Sequence, residues 1–173
     1  MKQLMAQIER ELESYLKKLS KEKIDVTTGM RMFIERFNSS NLPPLSDTQF
    51  ALLGEIAKEF VWMYANGFSQ YRETKFVFLP FSAVADSVYQ GAELNEEFAD
   101  RLSHDLNALY RFIFEPDRNS FYRLITRCIF RYSKLYFVIE FSESTEKLIL
   151  KYFGDVKQNE MQLYSDKGAG KDN

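Results

Sequence analysis

The clearest pattern in the chain is an alternation of apolar and polar positions that begins at Ser120. One parity carries Tyr122, Leu124, Thr126, Cys128, Phe130 and Tyr132, and the other carries Phe121, Arg123, Ile125, Arg127, Ile129 and Arg131. A period of two with many β-branched and aromatic residues predicts a strand. A helix is the alternative, but it would leave Phe130 among the arginines.

Two turn signals divide the stretch from Ser120 to Phe153 into strands. The first turn is Tyr132-Ser133-Lys134, after which Leu135 to Phe141 forms the second predicted strand. The second turn covers residues 142–145, and the third strand is predicted from Lys147 to Phe153. The pattern therefore predicts a C-terminal three-stranded antiparallel meander.

The chain before this meander has the periodicity of helices. Apolar residues at alternating spacings of four and three form a seam in the first helix: Met1, Met5, Ile8, Leu12, Tyr15 and Leu19. The seam can join two copies of the chain, with Met5, Ile8, Leu12 and Tyr15 as the candidate contacts. The alternative, packing on the protein's own domain, is favoured because the seam is shorter than a coiled coil requires.

Capping signals predict where three further helices begin. Asp25 or Thr27 can cap the second helix, and Ser46-Asp47-Thr48-Gln49 has the form of a capping box. Asn95 precedes Glu96 and Glu97 at the start of the most amphipathic segment. With helices first and a sheet last, the predicted fold class is α+β, with the meander packed against helices.

Length and linkers predict the domain organisation. A chain of 173 residues fits one domain, which we assign to residues 1–154. The helical hairpin at residues 1–38 can be semi-independent, because the linker at 39–45 contains Pro43 and Pro44. Residues 155–173 form a polar tail that we expect to be partly disordered.

Composition narrows the classes of protein and the compartment. Lysine and arginine number 23 against 25 acidic residues, and this near balance disfavours a dedicated nucleic-acid binder. Cys128 is the only cysteine and is predicted to be a small buried hydrophobe in a reducing compartment. The N-terminus has no signal-peptide pattern, and no stretch has the length of a membrane span. These features predict a cytoplasmic protein.

The residue types needed for catalysis are sparse. His104 is the only histidine, and neither a glycine-rich phosphate loop nor a nucleophile elbow is present. Glu97, Asp100 and His104 share a helical face, but a solvated acidic helix start is favoured over a metal site because the ligand set is incomplete. We therefore expect no enzyme, no cofactor and no metal.

Trp62 is the only tryptophan and lies in the third predicted helix. It shares a helical face with Glu55 and Glu59. It can anchor a partner, since aromatic residues dominate binding hot spots. The alternative, a place in the core, is favoured by general burial tendencies.

The second face of the meander combines basic and apolar residues. Its candidate binding residues are Arg123, Arg127, Arg131, Tyr136, Lys147 and Lys151. The alternative to binding is a face covered by solvent or by the protein's own acidic helix start, with Glu140 pairing the arginines. The helix start in question carries Glu93, Glu96, Glu97 and Asp100.

The function predicted from this face is that of a small intracellular, non-catalytic interaction protein: an adaptor, inhibitor or regulatory subunit. A protein partner fits the arginines, which are enriched at interfaces. A homo-oligomer fits as well. The alternative function is a nucleic-acid-associated protein that uses the same arginine-rich face. No membrane association is expected.

Overall fold

The computed structural model describes residues 10, 14, 25–37, 44–65, 76–117, 120–147 and 149–150. The elements in chain order are α1 (Val26–Phe37), α2 (Asp47–Ala65), β1 (Val77–Pro80), α3 (Phe81–Ser87), α4 (Glu96–Arg111), β2 (Ile113–Asp117), β3 (Ser120–Arg123), β4 (Ile125–Arg131), a 3-10 turn (Tyr132–Lys134) and β5 (Tyr136–Phe141). Residues 143–147 and 149–150 are also helical.

The predicted caps begin the helices. The backbone N–H of Thr28 donates to Asp25 Oδ1 at 2.9 Å, so Asp25 caps α1. The capping box of α2 is complete: the Gln49 N–H donates to Ser46 Oγ at 3.1 Å, and the Ser46 N–H donates to Gln49 Oε1 at 3.0 Å. Asn95 accepts the Phe98 N–H at 3.0 Å at the start of α4. Each bond satisfies a backbone donor that the helix itself leaves free.

Helices and a three-stranded antiparallel sheet make the fold α+β, as predicted. Strand β5 is central and pairs antiparallel with β1 on one side and with β4 on the other. The third strand is therefore β1, a four-residue edge strand that ends at Pro80. The sheet is not a meander of consecutive strands.

The prediction of a third strand from Lys147 is wrong, because the described residues there are helical. Ser142, read as part of a turn, begins this helix. Its hydroxyl accepts the Thr145 N–H at 3.2 Å, and its carbonyl accepts the Glu146 N–H at 2.9 Å. These local bonds favour a helical start over the apolar alternation that follows.

The predicted long first strand is broken at Leu124. Strand β3 pairs with β2 in a separate two-stranded sheet, whereas β4 pairs with β5. A bulge follows, since Ile125 is opposite Phe141 but Arg127 is already opposite Glu140. The extra residue reverses the alternation along β4, so Ile125 and Arg127 point to opposite faces of the sheet although they are two residues apart. Ile125 is consequently fully buried rather than among the arginines.

One hydrophobic core includes residues from every helix, α1 to α4, and from the three-stranded sheet. Helix α1 contributes Val26, Met30 and Ile34. It approaches α2 so closely that a Cβ atom on Gly54 would collide with the side chain of Thr27. The division into a semi-independent hairpin and a tail stays a prediction.

Candidate functional site

The alternation along β5 separates two faces of the sheet. Phe137, Ile139 and Phe141 are buried, while the intervening residues are only partly buried. We call the second side the outer face. It consists of Phe78 and Pro80 from β1, Tyr136, Val138 and Glu140 from β5, and Arg127, Ile129 and Arg131 from β4.

The strand register arranges the outer face in rows across the sheet. Ile129, Val138 and Phe78 form an apolar middle row. Tyr136 lies in the next row, and its ring centroid is 4.7 Å from that of Phe78. The two arginines, Arg127 and Arg131, are both on β4 and lie on either side of Ile129. The face therefore has an apolar centre with positive charge along one margin.

The arginines of the outer face are not neutralised by Glu140. The guanidinium of Arg127 lies over the ring of Phe76, with 5.6 Å between its carbon and the ring centroid. The Glu140 carboxylate accepts a hydrogen bond from Thr126 Oγ1 at 3.3 Å. Within the described part of the chain, neither arginine forms an ion pair. The alternative in which Glu140 pairs with the arginines is therefore wrong.

The acidic start of α4 lies away from the outer face. Phe98 of α4 packs against Phe81, with ring centroids 5.8 Å apart, and Phe81 packs against Phe137 on the buried side of β5. Helix α4 therefore covers the core face. Its exposed acidic residues Glu96 and Glu97 cannot cover the arginines on the opposite side of the sheet.

Two other predicted binding residues lie elsewhere. Arg123 is on β3, outside the three-stranded sheet, and its guanidinium carbon is 5.6 Å from the ring centroid of Tyr110. Lys147 is in the helical segment after β5 and forms an exposed ion pair with Glu143 at 3.1 Å. Among the members of the predicted set that the structure describes, only Arg127, Arg131 and Tyr136 lie together.

The remaining predicted contacts concern the helices. Trp62 lies on α2 with 38% of its surface exposed, so the alternative that placed it in the core is wrong. Several predicted residues lie outside the described residues: Lys151, Met5, Ile8, Leu12 and Tyr15.

A groove between α4 and β4 was not predicted. Its volume is about 410 Å³, and it is lined by Ser103, Leu106, Asn107 and Tyr110 of α4 and by Thr126, Arg127, Cys128 and Phe130 of β4. Cys128 is on the core side of β4, as its parity predicted, but it is only partly buried. Burial raises the pKa of its thiol to about 11. The groove depends on how a helix and a strand pack, which no local sequence signal specifies.

A polar cluster between α2, α4 and Tyr89 was also missed. The hydroxyl of Tyr89 donates to Asp105 Oδ2 at 2.6 Å, and the Gln49 side-chain amide donates to Asp105 Oδ1 at 3.2 Å. Burial, followed by the contact with Asp105, raises the pKa of Tyr89. Asp105 thus joins core elements, whereas the adjacent His104 is exposed.

In the part of the chain that the structure describes, no group of three or more His, Cys, Asp or Glu residues is arranged to hold a metal ion. Among the same residues, no helix combines the length and apolar character that crossing a membrane requires.

No family model, no curated protein and no solved structure matches this chain.

Proposed function

We propose that this protein is a small intracellular, non-catalytic interaction protein that binds a protein partner through the outer face of its sheet. Such a role is that of an adaptor, inhibitor or regulatory subunit. The observation that supports it is an apolar centre beside two exposed arginines on one sheet face, neither of which forms an ion pair with another described residue.

The residue types of the outer face are those of a binding surface. Phe78 is 49% exposed although it lies on a strand, and the ring of Tyr136 packs beside it at a tilt of 35°. Aromatic residues and arginine are enriched in protein interfaces and supply most hot spots. A partner that matches this surface presents an apolar centre with carboxylates along one side.

A second candidate is single-stranded nucleic acid. The exposed Phe78 and the half-buried Tyr136, with Arg131 in the same row as Tyr136, provide the aromatic and cationic groups on which bases stack. The net charge of −2 disfavours this candidate, because strand binding depends mainly on a positive field.

The experiment that distinguishes a protein partner from a nucleic-acid partner is capture from a cell lysate on the immobilised full chain, with and without nuclease. The matched variants are Arg127→Ser/Arg131→Ser and, as a control that removes the same charge elsewhere, Arg111→Ser/Lys147→Ser. We expect a protein that is retained by wild type and the control, is lost with the first variant, and is unaffected by nuclease.

Titration with polythymidine supplies the second measurement. We expect no binding at moderate salt, since phosphate contacts weaken steeply as salt rises. Tight polythymidine binding that needs Arg127 and Arg131 would instead establish the nucleic-acid candidate. Equal capture by all three proteins would contradict any role of the outer face.

A further inference from the structure

The two edges of the sheet differ in how open they are to another strand. Strand β1 has four residues, ends at Pro80 and continues directly into α3. Strand β4 has seven residues and contains no proline. A proline and a short length are the usual protections of a sheet edge, because they limit the backbone groups available for pairing. Only β1 has them.

Strand β4 also has room beside it. Among the described residues it pairs only with β5, so every second residue directs its backbone N–H and C=O away from the sheet. The groove of about 410 Å³ lies along this strand, with α4 as the opposite wall. Ser103 and Asn107 on that wall are exposed and polar, while Cys128 and Phe130 supply apolar surface on the strand side.

We propose that this groove binds an extended segment of a protein partner, which adds to β4 as a fourth strand of the sheet. Backbone hydrogen bonds to the free edge would give affinity, and side chains would give specificity, as in other cases of strand addition. The proposal concerns the edge and the groove, so it does not require the apolar centre of the outer face to bind anything. Arg127 and Arg131 belong to the outer face and would also lie beside the added strand.

The charge on β4 determines which strand fits. In an antiparallel pair, residues directly opposite each other point to the same face, and like charges there are destabilising. Two copies of β4 that overlap fully over residues 127–131 would place Arg127 of each copy opposite Arg131 of the other. A second copy of this chain is therefore disfavoured, and a strand with acidic residues is favoured.

The register gives the partner's sequence pattern. Residues opposite Arg127 and Arg131 would be acidic, because they share the outer face with the arginines. The residue opposite Ile129 would be apolar. Residues opposite Cys128 and Phe130 would point toward α4 and would also be apolar. The predicted ligand is an extended segment with two acidic residues separated by three apolar ones, without proline.

The test uses random linear peptides displayed on phage, selected on the full chain. We expect enrichment of the acidic, three-apolar, acidic pattern. A synthetic peptide of that pattern should slow hydrogen exchange of alternate amides in residues 127–131 and should protect Cys128 from a thiol reagent. Replacing both acids with lysine should weaken binding about tenfold or more, as expected for a charge pair at a hot spot.

Two variants separate the groove from the outer face. Asn107→Trp fills the groove from an exposed position of α4, and Glu97→Trp adds the same side chain on another stripe of that helix. We expect Asn107→Trp to abolish peptide binding and Glu97→Trp to leave it unchanged. Ser103→Trp replaces Asn107→Trp if that variant does not fold.

Three results would overturn the proposal. One is selection that enriches no peptide over the starting library. Another is binding that Asn107→Trp leaves unchanged. The third is a free chain whose Cys128 and β4 amides are already fully protected, which would mean that a segment of the chain itself occupies the groove. Each is independent of lysate capture by the outer face, so the proposed function and this inference can fail separately.

Discussion

The two faces of the sheet are built from alternate residues of the same strands, yet they differ in environment and in charge. On β5, Phe137 and Ile139 are fully buried, whereas Tyr136 and Val138 between them are only partly covered. The core face is wholly apolar and packs against α4 through Phe81. The outer face also has an apolar centre, formed by Ile129, Val138 and Phe78, but it has arginines along one margin.

This difference indicates what each face contributes. Burial of apolar surface is the main favourable term in folding, so the core face accounts for stability. On the outer face, Phe78 is 49% exposed and its apolar neighbours Ile129 and Val138 are only partly buried, so burial there contributes less to stability. Exposed apolar residues grouped on one surface are typical of interaction sites.

The largest expected effect belongs to the core face. Phe137→Ala should destabilise the protein by about 3–5 kcal/mol, because it removes a fully buried ring and leaves a cavity. Denaturant unfolding of wild type and variant gives the free energy of unfolding. Phe78→Ala, on the outer face, is the matched control and should cost clearly less. Equal losses would contradict the assignment of the two faces.

Cys128 lies on the core side of the edge strand β4, and its reactivity tests which residues of β4 face the core. Because burial raises the pKa of its thiol from 9.0 to about 11, the native chain holds about 100-fold less thiolate than the unfolded chain near pH 8. A more basic thiolate is more nucleophilic, so we expect the native chain to react with a thiol reagent about tenfold or more slowly. The contribution of this group to stability is present below pH 9 and declines as pH rises toward about 11, since the unfolded thiol loses its proton first.

Labelling kinetics followed by mass spectrometry measure this rate. A native chain that reacts as fast as the unfolded chain would show that Cys128 is not held against the core, and the register of β4 would then be wrong.

The sequence allowed the helix starts, the fold class and part of the outer face to be predicted, because these depend on local signals. The bond between Ser46 and Gln49 involves residues three apart, and the alternation in β5 identifies its buried side directly. Arg127, Arg131 and Tyr136 were placed together correctly because the strands on either side of the turn at Tyr132–Lys134 pair as predicted.

The errors have equally specific causes. The bulge at Thr126 inserts one residue and buries Ile125, an event that a strict period of two cannot represent. Serine is favoured both in turns and at helix caps, so its residue type alone does not separate the two. Here Ser142 caps a helix. The groove beside β4 and the contact of Tyr89 with Asp105 join residues distant in sequence, so they follow from tertiary packing alone.

The most direct test of the outer face as a binding surface is the variant Arg127→Ser/Arg131→Ser, measured for thermal stability and for partner capture in parallel. Both side chains are exposed and without ion pairs in the described structure, so the change in stability should stay within about 0.5 kcal/mol. Capture of the partner should be lost. A large fall in melting temperature with capture unchanged would show that the arginines support the fold, and it would contradict the outer face as the binding surface.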